Sequence, residues 1–328
     1  MKTLNYLAVA LGCLGIAAVA SAQQVISAKA GLVNYIEGKV LLDGKPIELK
    51  FGNFPSVHNE SELRTTGEGR AEVLLGPGAF LRMGESSAFR MIANGISDTR
   101  LEFLAGSMIV ECAEFEKDQA VTITYRDATL SLVKKGVYRV DSEPARLMVY
   151  DGEAKVLREG QIQSVGKSKL LALSGVAVAE KFDNKDGDSL YRWARLRSEY
   201  LAVANISAAR SASDSGLGFM GSSGWAWNPF FGTYTFLPMS GIYNSFWGYP
   251  YWSPSMVYML YVPPGSYFGG RVPTANTATT TATRAISATS GVHSGPTNSP
   301  GRISSSSTVQ SRSASSASAA PSSGHSAH

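Results

Sequence analysis

Between residues 30 and 180 the chain repeats one pattern: short runs of alternating apolar and polar residues, punctuated by Gly, Asp-Gly or Lys-Gly. Period-two alternation places successive side chains on opposite faces of a strand. It predicts strands near 31–36, 39–43, 45–50, 70–75, 79–83, 87–92, 99–104, 107–113, 120–125, 128–133, 137–141, 145–150, 153–158 and 161–165. That spacing is typical of sandwiches and barrels. Turns are expected at Asp43-Gly44, Lys135-Gly136 and Asp151-Gly152, where reversal or positive φ is needed. No stretch in this region carries a 3.6-residue apolar period, which argues against parallel βαβ units. The expected fold class is all-β: an antiparallel strand-rich sandwich or roll, with a short β-solenoid as the alternative, followed by one amphipathic helix and a disordered C-terminal tail.

The glycine-rich stretch RTTGEGRAEVLLGPGAFLRMGESS (Arg64 to Ser87) tests whether chemistry hides in the pattern. Dinucleotide-binding loops need glycines at positions 1, 3 and 6 before a helix, and P-loops need Gly-Lys-Ser/Thr. Counting from Gly67 the sixth residue is Glu72, and from Gly76 it is Leu81. A hairpin accounts for the residues instead. Ala71, Val73 and Leu75 share one face, Ala79, Leu81 and Met83 continue it beyond Gly76-Pro77-Gly78, and Arg70, Glu72, Leu74, Phe80 and Arg82 take the other.

The period switches at residues 183–210. Leu190, Trp193, Leu196, Arg197, Tyr200, Leu201 and Ala204 recur at steps of three and four, which predicts an amphipathic helix. Asp186, Asp188 and Ser189 are candidate caps. An EF-hand loop through Gly187 would need Phe182 and Trp193 as ligands, and neither chelates calcium.

Residues 216–270 are rich in Trp, Tyr, Phe, Gly and Pro and hold four of the five tryptophans. Trp225, Trp227, Trp247, Tyr249, Tyr251 and Trp252 are the candidate partner-binding residues, because such rings combine large apolar faces with polar edges. The competing expectation, favoured on pattern, is that they pack back onto the β region. Residues 271–328 are Ser, Thr, Ala, Pro and Gly with hardly any large apolar side chain, a composition expected to stay disordered.

Composition narrows the function. Lys2, the apolar run Leu7 to Val19 and Ala20-Ser21-Ala22 read as a signal peptide over 1–22, with the mature chain starting at Gln23. Lipid attachment at Cys13 is the minor alternative. The protein is therefore expected to be exported, periplasmic or at the cell surface. Its mature part is expected to have no transmembrane span and, with Cys112 as its one cysteine, no intramolecular disulfide. Only His58 of the four histidines lies outside the tail, so Cys/His, Ser/His/Asp and zinc sites lack residues. Residues 23–204 carry 24 basic and 25 acidic side chains, which leaves no basic face for nucleic acid. No catalytic residue, metal or cofactor is expected.

A family likeness lies in residues 30–175. GLVNYIEGKV (Gly31 to Val40), LRTTG (Leu63 to Gly67), RAEVLLGPG (Arg70 to Gly78), GESS (Gly84 to Ser87), LEFLAG (Leu101 to Gly106), GVYR (Gly136 to Arg139) and VYDGEAKV (Val149 to Val156) resemble, in order, the FecR domain. DSLYRW (Asp188 to Trp193) is similar to a Trp/Arg helix that follows such domains in some exported bacterial proteins. The resemblance implies an extracytoplasmic β module without catalytic residues. In membrane-bound relatives it passes a signal from an outer-membrane transporter to a sigma factor. The sequence is expected to depart from that plan, with neither an anti-sigma domain nor a membrane helix beyond the leader. The function expected is a non-enzymatic, exported FecR-domain protein that binds or scaffolds an envelope protein or polysaccharide. The alternatives are a periplasmic relay to a separate membrane regulator and a glycan-binding protein that uses the aromatic segment. A glycan-active enzyme is the remaining class, but no carboxylate pair is singled out.

Overall fold

A computed structural model describes residues 25–26, 30–95, 97–113, 120–175, 178–183, 187–215 and 223–261. The leader and the Ser/Thr/Ala-rich tail lie outside these residues. Their organising feature is a chain that moves back and forth between two facing sheets of eight and nine strands.

After β1 (Val25–Ile26), strand β2 (Leu32–Glu37) enters the eight-stranded sheet. The chain crosses to the nine-stranded sheet for β3 (Val40–Leu42), β4 (Lys45–Pro46) and β5 (Glu62–Thr65). It returns for β6 (Arg70–Leu74) and β7 (Ala79–Met83), then crosses again for β8 (Ala88–Asn94) and β9 (Asp98–Ala105). Strand β10 (Ser107–Cys112) is in the eight-stranded sheet, and β11 (Ala120–Tyr125) and β12 (Ala128–Leu132) are in the other. The last three pairs alternate in the same way: β13 (Gly136–Ser142) with β14 (Ala145–Asp151), β15 (Glu153–Arg158) with β16 (Gln161–Gly166), and β17 (Lys169–Ala172) with β18 (Ala179–Lys181). Pairing within both sheets is antiparallel except between β9 and β11. The result is a rolled antiparallel sandwich, not a closed barrel.

The inward-facing rows fuse into one core. Ala71, Val73, Leu81 and Met83 from the eight-stranded sheet meet Leu63, Phe89, Leu101, Ile123, Leu130 and Val156 from the other. Fully burying an aliphatic or aromatic side chain stabilises by about 1.5–3 kcal/mol, so this interior dominates stability. The register Ala71↔Met83 and Val73↔Leu81 is the one the hairpin alternation requires.

The turns differ in part from the sequence expectation. Asp43 and Gly44, both at positive φ, form a hairpin turn between β3 and β4. Lys135-Gly136 and Asp151-Gly152 instead carry the chain from one sheet to the other. At these crossings two backbones nearly touch. A Cβ on Gly136 would lie 2.1 Å from the Asp151 carbonyl oxygen, and one on Gly152 (φ +92°) would lie 2.3 Å from the Tyr138 hydroxyl. The expected strand at 45–50 shortens to Lys45–Pro46, with one further ladder hydrogen bond from the Ile47 amide to the Val40 carbonyl at 3.0 Å. Strands β5, β17 and β18 lie in stretches whose alternation is too short to predict them.

Beyond the sandwich, helix α1 (Ser189–Asp214) is followed by two small hairpins. They are β19 (Gly224–Asn228) with β20 (Thr233–Leu237), and β21 (Ile242–Asn244) with β22 (Pro250–Trp252). Strand β1 pairs with β19, so the two ends of the described chain share a sheet. Among the described residues no helix is long and apolar enough to cross a membrane, and Cys112 is a free, buried thiol.

Candidate partner-binding surface

The outer face of the eight-stranded sheet is covered, and charge holds the cover in place. Glu72 on β6, Arg82 on β7 and Glu111 on β10 project from this face with their side chains fully enclosed. Arg82 spans both carboxylates: its Nε donates to Glu72 at 2.9 Å and a terminal nitrogen donates to Glu111 at 2.7 Å. Helix α1 supplies Arg197, which donates to Glu72 at 2.9 Å, and Ser198, which donates to Glu111 at 3.4 Å. Asn34 completes the Glu72 shell at 3.0 Å. Burial pushes the Glu72 carboxyl up, but Arg197 and Arg82 outweigh it and hold Glu72 below its ordinary value. For Glu111 burial prevails over Arg82, and the nearby Glu72 charge adds to it, so its pKa is raised. The two acids share one cation but lean in opposite directions.

The helix start is fixed by charge as well. Asp188 caps α1 by accepting from the Tyr191 amide at 3.0 Å, and its other oxygen pairs with Arg139 of β13 at 2.7 Å. Burial raises the Asp188 pKa, while Arg139 and the amide outweigh it, leaving it lowered. The buried face of α1 runs through Leu190, Trp193, Ala194, Arg197, Ser198, Leu201, Asn205, Ala208 and Ala212. Leu196, expected in the apolar stripe, is 62% exposed, and Tyr200 is 39% exposed. Arg197 takes the inward position that the period gives it, while Ser198 joins it in place of Leu196 because the sheet offers buried carboxylates to both.

The six aromatic residues expected as a stacking surface separate into several environments. Trp225 and Tyr251 are fully buried between α1 and Phe80, and Tyr251 donates to the Ser198 carbonyl at 3.0 Å. Trp252 is buried among Ala208, Ala209, Ala212 and Val257. These three rings present no face to solvent, because β20 and β22 pack directly on the helix and bury them there. Asn205 of α1 ties both hairpins down: it donates to the Phe236 and Trp252 carbonyls at 2.8 and 3.0 Å and accepts from the Trp252 amide at 2.7 Å. Trp247 is half-buried against Tyr191 and Phe246. Tyr249 is half-buried, and its hydroxyl links Arg195 and Glu199, each at 3.0 Å.

Trp227 is half-buried at the edge of the Trp225 cluster, where an aromatic rim reaches the surface through Phe51. The Trp227 ring is 5.3 Å from Phe51, 5.1 Å from Phe54 and 5.4 Å from Tyr234. Phe51 is 75% exposed and Phe230, in the β19–β20 turn, is 88% exposed. The turn is built around Asn228, whose side-chain oxygen accepts from the Phe230 and Phe231 amides at 3.1 and 3.4 Å. The same side chain donates to the Ala204 carbonyl at 2.7 Å, which anchors the turn on α1. Phe231 packs edge-on against Tyr200 at 5.4 Å, and the Tyr200 hydroxyl donates to the Phe231 carbonyl. Apolar rings are thus held outward on a rigid turn. Phe51, Phe54, Phe230 and Phe231 were not among the sequence candidates. The available signal was their setting, FGNFP and NPFFG, where turn residues deny two adjacent rings a common buried face.

No family model and no curated protein matches the chain. Two crystal structures of a candidate anti-sigma factor from Parabacteroides distasonis ATCC 8503 are similar over 37% of this chain, at 15% and 14% identity and a TM-score of 0.33 for each. This chain covers 60% of each neighbour's length.

Proposed function

We propose that the chain is an exported, non-catalytic FecR-like module that binds a protein of the cell envelope through the rim formed by Phe51, Trp227 and Phe230. The observation that carries this reading is two exposed phenylalanines: Phe51, 75% exposed against the Trp227 ring, and Phe230, 88% exposed on the β19–β20 turn pinned to α1. Exposed phenylalanine has no polar edge to hydrate, and rigid aromatic anchors of this kind dominate binding energy at protein interfaces. A protein partner suits this rim better than a polysaccharide, which needs hydrogen-bond donors next to its stacking faces. Phe51 and Phe230 offer none, the Tyr200 hydroxyl is already used internally, and the Trp227 indole N–H is the single side-chain donor among the three rim residues. The non-catalytic reading draws support from Cys112, whose thiol pKa burial raises, the opposite of what a nucleophile needs. Export rests on the leader-like start alone, and the FecR likeness on the order of motifs along a strand-rich sandwich.

A photo-crosslinking amino acid at position 230, introduced in intact cells, is expected to capture one discrete protein. Phe51→Ser or Trp227→Ala should abolish the adduct. Capture that persists in both variants, or adducts with polysaccharide alone, would refute the reading.

A further inference from the structure

The two large sheets have four edge strands, and three of them are blocked. Strand β4 has two residues, one of them Pro46. The free side of β2 is covered by residues 55–57, with Val33 donating to the Pro55 carbonyl and Val57 to the Gly31 carbonyl, each at 2.8 Å. Strand β18 has three residues, including Glu180 and Lys181. These are the usual protections against edge pairing.

Strand β16, QIQSVG, has none of them. It has six residues without charge or proline, and among the described residues it pairs only with β15. On the outer face Ile162 is 70% exposed and lies opposite Leu157, itself 42% exposed. On the inner face Gln161 and Gln163 line an open cleft of about 650 Å³, with Val156, Leu171 and Leu173 also on its wall.

We propose that β16 is a self-pairing edge: two copies of this chain join β16 to β16, antiparallel, about a twofold axis perpendicular to the sheet. The sequence of β16 selects the register. Directly opposed residues in an antiparallel pair share a face, and such an axis keeps inner faces on the same side. Opposed residue numbers must therefore sum to an even number, so the axis passes through a residue. Centring on Gln163 opposes Gln161 to Val165 and Ile162 to Ser164, and sets Gln163 against Gln163 of the second copy. It also brings the turn carrying Glu159 towards the strand end carrying Lys167 of the other copy, opposite charges on two exposed side chains. Centring on Ser164 would need Lys169 there, and that residue has already crossed to the eight-stranded sheet. The axial glutamines are self-complementary, each amide offering donors and an acceptor. A charged residue at this position would face its own copy, and β16 has none. Six-residue edges bury little area, so the dimer forms and dissociates with concentration.

Sedimentation of the full chain over a wide concentration range is expected to show a shift from 34.9 kDa towards twice that mass. Gln163→Lys puts like charges on the axis and should weaken association by at least about tenfold, with an unchanged circular dichroism spectrum. In a Cys13→Ser background, Gln163→Cys should crosslink two chains on mild oxidation, since opposed Cα atoms about 5 Å apart suit a disulfide. Ile162→Cys, about 8 Å from its own copy in this register, should crosslink far more slowly. A chain that keeps the single mass at every concentration overturns the proposal. So does a dimer in which Gln163→Cys crosslinks no faster than Ile162→Cys. Neither variant touches the aromatic rim, so this result stands apart from the partner-binding one.

Discussion

The two outer faces of the sandwich each carry a Glu–Arg–Glu triad across three adjacent strands, in opposite environments. On the nine-stranded sheet Arg90 lies 3.7 Å from Glu62 and 2.7 Å from Glu102, with the three side chains 28–38% exposed. On the eight-stranded sheet Arg82 joins Glu72 and Glu111 with no exposure at all. The sequence pattern is nearly the same: a basic residue flanked by acids on the polar face of alternating strands. What differs is the cover. Water screens the first triad, while α1 and the aromatic hairpins seal the second. The first belongs to a solvated surface, and the second locates the helix, because Arg197 and Ser198 complete it. Identical residue types thus decorate one face and fasten the other.

The largest expected effect separates the two triads directly. Arg82→Met leaves buried carboxylates without their shared cation and should cost about 3–5 kcal/mol in urea denaturation. Arg90→Met should cost no more than about 1 kcal/mol. Equal losses would mean that the cover does not matter.

A middle-sized effect probes the hairpins that form the cover. Asn205→Ala strips partners from the Phe236 and Trp252 backbones and should cost about 1–3 kcal/mol. Loss of near-ultraviolet dichroism from the tryptophans before global unfolding would show that the cover loosens first.

Acid sharpens the comparison further. Glu72 has a folded pKa below its ordinary 4.5, so the folded state releases its proton first and stability rises with pH through that window. The contribution is present above about pH 4.5 and is lost as pH falls through the lowered value. Glu111 is raised, so its contribution is present below 4.5 and is lost as pH climbs through its folded value. Glu72→Gln should therefore flatten the acid limb of a stability–pH curve, and Glu111→Gln the opposite slope above it. Two variants with the same slope change would contradict the assignment.

The smallest effects concern surface groups. Raising salt to about 1 M should erase what Arg90 contributes and leave the Arg82 penalty intact, because only the exposed triad is screened. Phe230→Ser should alter stability by no more than about 0.5 kcal/mol while abolishing partner capture. A large stability loss would make Phe230 part of the packing.

Much of the β architecture is legible without coordinates. Alternation assigned Ala71, Val73, Leu81 and Met83 to one face and Glu72, Leu74, Phe80 and Arg82 to the other, and both rows stand where the pattern puts them. Asp188, one of three candidate caps, caps the helix. The errors share a cause. Helical period places Leu196 inward and turn chemistry makes Asp151-Gly152 a plain turn, because local pattern reports period and flexibility, not what another segment will bring. The candidate surface was legible as a composition and not as a place. Trp225, Tyr251 and Trp252 are enclosed by a helix that precedes them in the chain, while Phe51 reaches Trp227 from far upstream.

Sequence alone determined which residues alternate, where the period changes from strand to helix, and how few histidines and cysteines the chain holds. These are local properties, governed by backbone geometry and side-chain chemistry. Only the tertiary structure decided which polar row is sealed and which is wet. Asn34 meets Tyr234 and Glu72 meets Arg197 across 200 and 125 residues of chain. Contacts at such separations depend on which surfaces complement each other once the strands have rolled up, and no local period encodes that.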